Sequence, residues 1–375
     1  MPANTLRLLA AGAIAATLFS ARAIGVSAAP NECDRLAAYP GDPDLPKGFP
    51  SVRYNEDMRG EAAVEACRQA LAQAPGDRRL RFQLARALKV AGQAEAAEIE
   101  DERAADAGSV MAMVDLGALY NEGVAVRKNY RAAAADLAKA AAQGSAPAEV
   151  ALAQFYMNGW GVAKDEALGR AWFEKAADQG DAEGQFNLAN VYINASGVAQ
   201  DLVRARELLE KAVAQGHVLA EFNLAAFYIE GLGGVDKDFT RARALYAQAA
   251  QGGEAAAQAA LGQAYAEGLG GPQDDAQARM WYLKAAEQGE VAAQNNLAEL
   301  FAEGRGGARD YAQARRWAQK AAEQGDPNGQ YQLGLFHAQG QGGPRDLDQA
   351  RLWLQKAADQ GFKPAKQSLA NLPPR

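Results

Sequence analysis

The sequence predicts an all-α fold, a right-handed superhelical solenoid built from stacked helical hairpins. A glycine recurs every 36 residues, with one step of 37, from Gly108 to Gly361. Each interval holds two segments of helical length, and none of its residues alternate as those of a strand do. Such a period with two helices per unit is typical of helical repeat arrays. The leading glycines are Gly108, Gly144, Gly180, Gly216, Gly253, Gly289, Gly325 and Gly361.

Composition and charge narrow the class of partner. The chain has 375 residues, of which 49% are hydrophobic, and its formal net charge is -7. In a repeat array these apolar residues form one continuous core between neighbouring repeats. The number of domains therefore cannot be inferred from the chain length. A nucleic-acid partner is not expected, because a phosphate backbone requires a clustered basic face, whereas the basic residues here alternate with acidic ones along the sequence.

Residues 1–28 have the pattern of a secretory signal. Arg7 supplies the positive start, residues 8–19 form an apolar run too short to span a bilayer, and Val26-Ser27-Ala28 offers a small-residue cleavage site. The alternative is an uncleaved anchor, which is disfavoured because no stop-transfer pattern follows and Pro30 ends any helix. We therefore expect a periplasmic or secreted protein, with no transmembrane span in the mature chain.

Export gives meaning to the only two cysteines, Cys33 and Cys67. Cys33 lies in an irregular, proline-rich arm, residues 29–60, and Cys67 lies on the first predicted helix after it. An oxidising compartment and an even number of cysteines favour a disulfide that fixes the arm to the array. The alternative is two separate buried thiols. No lipobox precedes Cys33, which disfavours a lipid anchor.

Residues 61–107 are also helical in pattern, but their spacing is shorter than that of the later units. We expect them to cap the N-terminal end of the array. Their small and large apolar positions resemble those of a tetratricopeptide repeat. These positions are Leu84, Ala85, Leu88, Gly92 and Ala97, preceded by Pro75.

Columns counted from each leading glycine predict the core face of the first helix. Positions +4, +8 and +12 share one face of a helix. Position +8 is Leu116, Leu152, Leu188, Leu224, Leu261, Leu297 and Leu333, and position +12 is Tyr120, Tyr156, Tyr192, Tyr228, Tyr265, Phe301 and His337. Position +4 is small in Ala148, Gly184, Ala220, Ala257, Ala293 and Gly329. We expect these small residues to let the two helices of one hairpin approach closely.

The second helix of each unit is expected to begin after an Asn or Asp that caps its first turn. This column is Asn129, Asp165, Asp201, Asp238, Asp274, Asp310 and Asp346. One later position holds Trp172, Trp281, Trp317 and Trp353, and Leu208 in one unit. We interpret these tryptophans as wedges between units and not as ligand-stacking residues. Glycine-rich segments between the helices are interpreted as helix ends, because none follows a strand or precedes a Lys-Ser/Thr pair.

The whole pattern resembles Sel-one-like repeats, which are relatives of the tetratricopeptide repeat. Seven consecutive copies over residues 108–361 carry the opening AxAQxxLGxxYxxGxG and the ending D…A…W…KAAxQG. Departures are local: Asn194-Ala195-Ser196 replaces a loop glycine, and His337 replaces an aromatic residue. Residues 362–375 form a half unit that is expected to act as a C-terminal lid. The resemblance implies an adaptor or regulator that assembles complexes.

Groups that carry chemistry are few, which predicts a protein that is not an enzyme and needs no cofactor or metal. The two histidines, His217 and His337, are too far apart in the array to build a catalytic triad or a zinc site. A second class stays open, a cell-wall-associated enzyme acting on peptidoglycan or glycan, or its accessory factor. Exposed tryptophan and tyrosine along a groove would favour that class.

A protein or peptide partner is expected on the inner, concave side of the first helices. By the helical period, positions +6 and +13 face away from the core, with +7 and +10 nearby. The predicted partner-binding residues are Val150, Gln154, Met157, Phe186, Asn187, Asn190, Ile193, Phe222, Asn223 and Ile229. An apolar groove with amide flanks suits a bound peptide. The alternative is that these side chains pack against the next unit, and the oligomeric state is left open.

Overall fold

The computed structural model describes residues 31–38, 45, 60–122 and 130–373, apart from the side chains of residues 117–122 and 132. Every regular element in these ranges is an α-helix, which confirms the all-α class. The chain divides into two compact units, with the boundary between His217 and Val218. The predicted signal sequence, most of the proline-rich arm and the Asn129 cap lie outside the described residues.

The described part of the first unit contains ten helices. They are α1 (Glu32–Ala37), α2 (Gly60–Gln73), α3 (Arg78–Val90), α4 (Ala94–Asp106), α5 (Val110–Glu122), α6 (Tyr130–Ala142), α7 (Ala146–Asn158), α8 (Glu166–Asp178), α9 (Ala182–Asn194) and α10 (Leu202–Val213). From α5 onward, odd-numbered helices are the first helices of the repeats and even-numbered helices are the second helices.

The second unit continues this alternation. Its helices are α11 (Val218–Glu230), α12 (Phe239–Gln251), α13 (Ala255–Glu267), α14 (Asp275–Glu287), α15 (Val291–Glu303), α16 (Tyr311–Glu323), α17 (Pro327–Gln339), α18 (Leu347–Asp359) and α19 (Lys363–Ala370). Consecutive helices pack as antiparallel neighbours, as their short connections require. The short α19 packs against α18.

The predicted disulfide is present and joins α1 to α2. Cys33 and Cys67 have a sulfur–sulfur distance of 2.08 Å, and both residues are fully buried. α1 also packs against α3. The disulfide thus ties the segment before the proline-rich stretch to the first hairpin.

Helix α1 is a departure from the expected arm. The sequence analysis treated residues 29–60 as irregular, but Glu32–Ala37 form a helix. The reason is a capping box: the Asn31 side chain accepts a hydrogen bond from the Asp34 amide, and the Asp34 carboxylate accepts one from the Asn31 amide. These two bonds stabilise a first turn that apolar periodicity alone does not reveal.

The predicted second-helix caps form at each described position. In every case an aspartate side chain accepts hydrogen bonds from backbone amides of the first helical turn, which otherwise lack partners. The capping residues are Asp165, Asp201, Asp238, Asp274, Asp310 and Asp346. The leucines at position +8 are buried as predicted, with no more than 4% of any of them exposed.

The small residues at position +4 have a different neighbour from the one expected. An added Cβ on Gly184 would lie 2.7 Å from the Cβ of Ala176, and one on Gly329 would lie 2.6 Å from the Cβ of Ala321. Ala176 and Ala321 are on the second helices of the preceding repeats, α8 and α16. Position +4 therefore permits close packing between successive repeats, and the expectation of a contact within one hairpin was wrong.

The loop glycines end helices, as the sequence predicted, and they also pack against the preceding repeat, which it did not predict. Gly268 and Gly304 follow the first helices with φ of 70° and 76°, the left-handed conformation of a helix end. Two residues later, an added Cβ on Gly270 or Gly306 would overlap the backbone at the start of the preceding second helix. Their role is therefore close packing and not phosphate binding.

An arginine column ties successive repeats together, and the sequence analysis missed it. The Arg279 guanidinium lies 3.6 Å from the Phe301 ring of the next repeat and donates to the Ala308 carbonyl at 3.3 Å. Arg315 donates to His337 Nδ1 at 2.9 Å. The pKa of His337 is lowered mainly by burial and also by the charge of Arg315. The column, five residues after each cap, is Arg170, Arg206, Arg243, Arg279, Arg315 and Arg351.

Glutamine pairs, each of one exposed and one buried residue, form a second tie between repeats. The Gln324 side chain donates to Gln294 Oε1 at 3.0 Å and to the Gly289 carbonyl at 3.2 Å. Gln294 in turn donates to the Ala286 carbonyl at 3.2 Å. The pairs Gln288 with Gln258 and Gln360 with Gln330 repeat the side-chain bond. Because these bonds satisfy buried amides, they fix the register of one repeat on the next.

Candidate partner-binding face

The first helices have one exposed row of side chains. On α7, α9, α11, α13, α15 and α17, the side chains at positions +3, +7, +10 and +14 are partly or fully exposed, apart from Ala151 and Asn223. These spacings of three and four residues place the row on one side of each helix. We call this row the first-helix stripe.

The stripe faces the inner side of the helix layers within each unit. In the first unit α5 packs against α7 and α7 against α9, and in the second unit α13 packs against α15 and α15 against α17. Successive second helices within a unit do not contact one another to the same extent. The layer whose helices are closer together is the inner layer of a curved stack, so the stripe is the inner surface of each unit.

Three predicted partner-binding residues of the first unit are buried and do not line an exposed groove. Val150, Phe186 and Ile193 are each 5% exposed. The Phe186 ring stacks on the imidazole of His217 at a centroid distance of 4.7 Å. Positions +6 and +13 therefore point toward the next repeat, and placing these three side chains on a groove was wrong.

The other four predicted residues of the first unit are partly exposed. Gln154 and Met157 lie on α7, and Asn187 and Asn190 lie on α9. The Asn187 amide donates to the backbone carbonyl and the carboxylate of Glu183, both at 2.8 Å. Three of the four are amides, and these three lie at the stripe positions +7 and +10. Because both N–H groups of Asn187 are bonded to Glu183, Asn187 offers this surface only its side-chain oxygen.

In the second unit the predicted residues all lie on α11. Asn223 is buried, whereas Phe222 and Ile229 are partly exposed. The Phe222 ring lies 5.6 Å from the ring of Tyr246, and burial raises the pKa of Tyr246 to about 12. Leu219, at stripe position +3, is also partly exposed. Phe222 and Ile229 thus add apolar surface beside the stripe on α11.

The charge of the first helices was the signal that the sequence analysis overlooked. None of the seven first helices contains lysine or arginine, whereas every second helix of the repeats contains at least two. The exposed stripe carries carboxylates at Glu183, Glu230, Glu267, Glu299 and Glu303. The basic residues that alternate with acidic ones along the sequence are therefore segregated in space. Counting charges helix by helix, and not along the chain, would have revealed this.

The most exposed stripe positions were also missed. Position +14 is exposed in all six of the helices from α7 onward and holds Asn158, Asn194, Glu230, Glu267, Glu303 and Gln339. Each of these residues is an amide or a carboxylate at the C-terminal end of a first helix. That uniform polarity, beside buried leucine columns, identifies the solvent-facing side more directly than an angle measured from position +4.

Membrane-spanning helices and metal-binding clusters are two other features that would point to a function. Within the described ranges, no helix is long and apolar enough to cross a membrane. Among the same residues, no cluster of histidine, cysteine, aspartate and glutamate is arranged to hold a metal ion.

Solved structures with the same architecture include two close relatives. The protective antigen c5321 of uropathogenic Escherichia coli, which displays an SLR fold, is 32% identical, with a TM-score of 0.66 over 82% of this chain and 66% of that chain. This chain thus spans slightly less than two thirds of that relative. A Sel1 repeat protein from Oxalobacter formigenes is 31% identical, with a TM-score of 0.57 over 65% of this chain and 96% of that chain.

A sequence comparison with curated proteins finds no match. The profile of the Sel1 repeat matches seven consecutive segments. These are residues 110–145, 146–181, 182–217, 218–254, 255–290, 291–326 and 327–362. Each matched segment begins with a first helix and ends just after the next leading glycine. The profile matches seven repeats, and the two solved relatives are 32% and 31% identical to the chain where they align. The chain therefore belongs to the Sel1 repeat family.

Proposed function

We propose that this chain is an exported, non-enzymatic interaction scaffold that holds a protein or peptide segment along the first-helix stripe. Sel1 repeat proteins are generally protein-interaction scaffolds. The observation that carries the proposal is the composition of the stripe, which combines exposed amides and carboxylates with partly exposed apolar side chains and lacks lysine and arginine.

The amides suit a polypeptide ligand. The Gln154 side chain and the side-chain oxygen of Asn187 present hydrogen-bonding groups that pair with a peptide backbone. In the second unit, Phe222 and Ile229 add partly exposed apolar surface that a partner side chain covers on binding. The first helices contain no tryptophan, the residue that a glycan-binding groove favours, so a protein partner is preferred over a glycan.

The charge pattern describes the partner segment further. Carboxylates at Glu267, Glu299 and Glu303 repel an acidic segment and attract a basic one. Arg305, in the loop after α15, is held by Asp275 at 2.7 Å. The Arg305 guanidinium beside Asp275 also lowers the pKa of that carboxyl. Arg305 is thus paired with Asp275, although it also lies 3.8 Å from Glu303. Glu267 and Glu299 still favour a neutral or basic partner segment.

Export is supported by two features. Residues 1–28 carry the pattern of a secretory signal, and the buried Cys33–Cys67 disulfide suits an oxidising compartment. If export is correct, the mature chain starts at Ala29. Intact-mass measurement of the protein from a periplasmic or secreted fraction checks this. A full-length chain that starts at Met1 and stays in the cytoplasm contradicts it.

The stripe is tested by a pair of charge-introducing variants. Gln154→Arg with Asn187→Arg places two cations on the stripe at partly exposed positions. The matched control, Leu168→Arg with Val203→Arg, changes second-helix side chains that are 37% and 49% exposed. Both variants are expected to fold, because surface substitutions usually change the free energy of unfolding by less than about 0.5 kcal/mol each.

Capture of partners from the envelope fraction separates the two faces. We expect the stripe variant to lose a partner that both the wild-type protein and the control variant retain. Equal capture by all three proteins, or loss in the control variant alone, would show that the partner binds elsewhere.

A further inference from the structure

A cleft of about 220 Å³ opens between the second helices α8 and α10 of the first unit. Leu188, Leu208 and Ala177 supply its apolar lining, although Leu188 and Leu208 are only 3% and 8% exposed. Charged side chains surround the opening, among them Lys211. The cleft lies on the second-helix side of the repeats and contains no residue of the first-helix stripe.

Four other repeats fill the same place with a tryptophan of their own. Leu208 lies seven residues after its cap, Asp201, and the equivalent residues are Trp172, Trp281, Trp317 and Trp353. Trp317 is 5% exposed and belongs to one buried cluster with Ala286 and Leu297. Ala286 and Leu297 are the equivalents of Ala177 and Leu188. The cleft between α8 and α10 is thus the position of an indole that this repeat lacks.

The cation that accompanies each tryptophan is also in place. In the four tryptophan repeats, a lysine ammonium three residues later lies 3.7–4.2 Å from the indole centroid. Lys211 holds the same position after Leu208 and lines the cleft. Because the face of an aromatic ring is electrostatically negative, an ammonium at this place attracts a ring that enters the cleft.

We infer that the cleft between α8 and α10 is a socket for an aromatic side chain, an indole fitting best, which a partner protein supplies. The electrostatics favour a ring over an anion, because three carboxylates line the cleft against two cations, Arg204 and Lys211. The carboxylates are those of Glu174, Asp178 and Glu207. An entering ring covers Leu188 and Leu208 and stacks on Lys211, as the internal tryptophans do in their own repeats. This inference does not depend on the first-helix stripe.

The first test uses N-acetyl-tryptophanamide as the probe and the methyl signals of the protein in nuclear magnetic resonance as the readout. We expect saturable shifts at Leu188 and Leu208 in the wild-type chain, and none with N-acetyl-leucinamide. The stripe variant Gln154→Arg with Asn187→Arg should bind the probe as the wild type does. Absence of saturable shifts in the wild-type chain overturns the inference.

The second test fills the socket from within. Leu208→Trp restores the residue found in four other repeats, so we expect a protein that melts at a temperature no lower than the wild type and no longer binds the probe. Probe binding that persists in Leu208→Trp overturns the inference, as does a lower melting temperature, because the cleft would then not accept an indole. A partner captured by the wild type should be captured less well by Leu208→Trp, and unchanged capture overturns the assignment to a partner.

Lys211→Ala keeps the test decisive if Leu208→Trp does not fold. Lys211 is exposed, so its truncation should leave the fold intact. Loss of a cation–π contact at an exposed site should weaken probe binding about threefold. Unchanged probe affinity in Lys211→Ala would show that the lysine does not recognise the ring.

Discussion

The N-terminal hairpins, α1–α4, and the repeats that follow hold their helices together in different ways. In the repeats, leucines, small residues, glutamines and arginines recur in columns, so most types of contact between neighbouring repeats are made again in the next repeat. The hairpins do not share this period and cannot use those columns. They rely on a disulfide and on ionisable side chains that are fully buried, among them Asp34, Arg86 and Asp101.

The buried charges of the hairpins have specific partners. Lys89 Nζ lies 2.7 Å from a carboxylate oxygen of Asp101 and 2.7 Å from one of Asp115, which is on the first helix of the first repeat. Arg86 donates to the Ala37 carbonyl at 2.6 Å. Each of these contacts occurs only once, so no equivalent contact elsewhere in the array compensates when it is lost. We therefore expect a substitution in the hairpins to cause a large loss of stability confined to the hairpins. A substitution in the repeats should cause a smaller loss that is spread over neighbouring repeats.

Removing the disulfide should give the largest effect. The cysteines are 34 residues apart, and closing a loop of this size stabilises by about 4 kcal/mol in the chain-entropy model. We expect Cys33→Ala with Cys67→Ala to lower protection from hydrogen exchange in α1–α3 while the repeats of the second unit stay unchanged. Unchanged protection in α1–α3, or two reactive thiols in unfolded, non-reduced wild-type protein, would contradict this.

A core leucine of the repeats should give the next largest effect. Leu297 is fully buried, and its truncation to alanine should lower the free energy of unfolding by about 3 kcal/mol. Leu352→Ala is the matched control, because Leu352 is 45% exposed and its truncation should change stability by less than about 0.5 kcal/mol. Urea unfolding monitored by circular dichroism measures both. Similar losses for the two leucines would show that the +8 column is not the core.

The fold could be predicted from the sequence because its signals are periodic. The recurring glycine, the leucine column and the cap column each mark the same two-helix repeat in all seven copies. The profile matches fall on the same seven repeats. α1 could not be predicted in this way, since its capping box at Asn31 and Asp34 occurs once. The segregation of lysine and arginine on second helices was readable in principle, but only after the helices had been separated.

The candidate site was predicted only in part, for a geometric reason. Helical angles measured from position +4 tell which side is opposite the core, but they do not tell where the next repeat lies. Phe186 and Ile193 therefore looked exposed and are buried by a neighbour. The cleft beside Leu208 was unpredictable for the same reason: the sequence shows a leucine in a tryptophan column, and only packing shows that nothing else fills the space.

The buried carboxyl of Asp101 should make the hairpins sensitive to pH. Burial raises the pKa of Asp101 to about 8 from an ordinary value of 3.8, against the opposing effect of Lys89. A raised carboxyl pKa means that the folded state holds the proton more tightly, so this contribution is complete below about pH 4 and is lost as the pH rises toward 8. Each unit of difference corresponds to about 1.4 kcal/mol.

Asp101→Asn isolates this contribution. Hydrogen exchange in α4, corrected for intrinsic rates, should show wild-type stability falling between pH 5 and pH 8 by at least about 1.4 kcal/mol more than that of the variant. Equal pH dependence in the two proteins would show that Lys89, at 2.7 Å, keeps Asp101 ionised in the folded state. The second unit lacks this group and should respond equally in both proteins.

The smallest expected effect tests an irregularity inside the repeats. Among the described residues, Ala195 is the only non-glycine with a positive φ, 54°, and it ends α9 where the other repeats use glycine. A left-handed conformation costs a residue with a Cβ roughly 1 to 2 kcal/mol, while glycine loses more chain entropy on folding. We therefore expect Ala195→Gly to raise the free energy of unfolding by about 1 kcal/mol, measured by urea unfolding. Ala199→Gly, also exposed in the same loop, is the control and should be neutral or slightly destabilising. Equal free energies of unfolding for the two variants would contradict this prediction. They would show that the left-handed conformation of Ala195 does not lower the stability of the repeat.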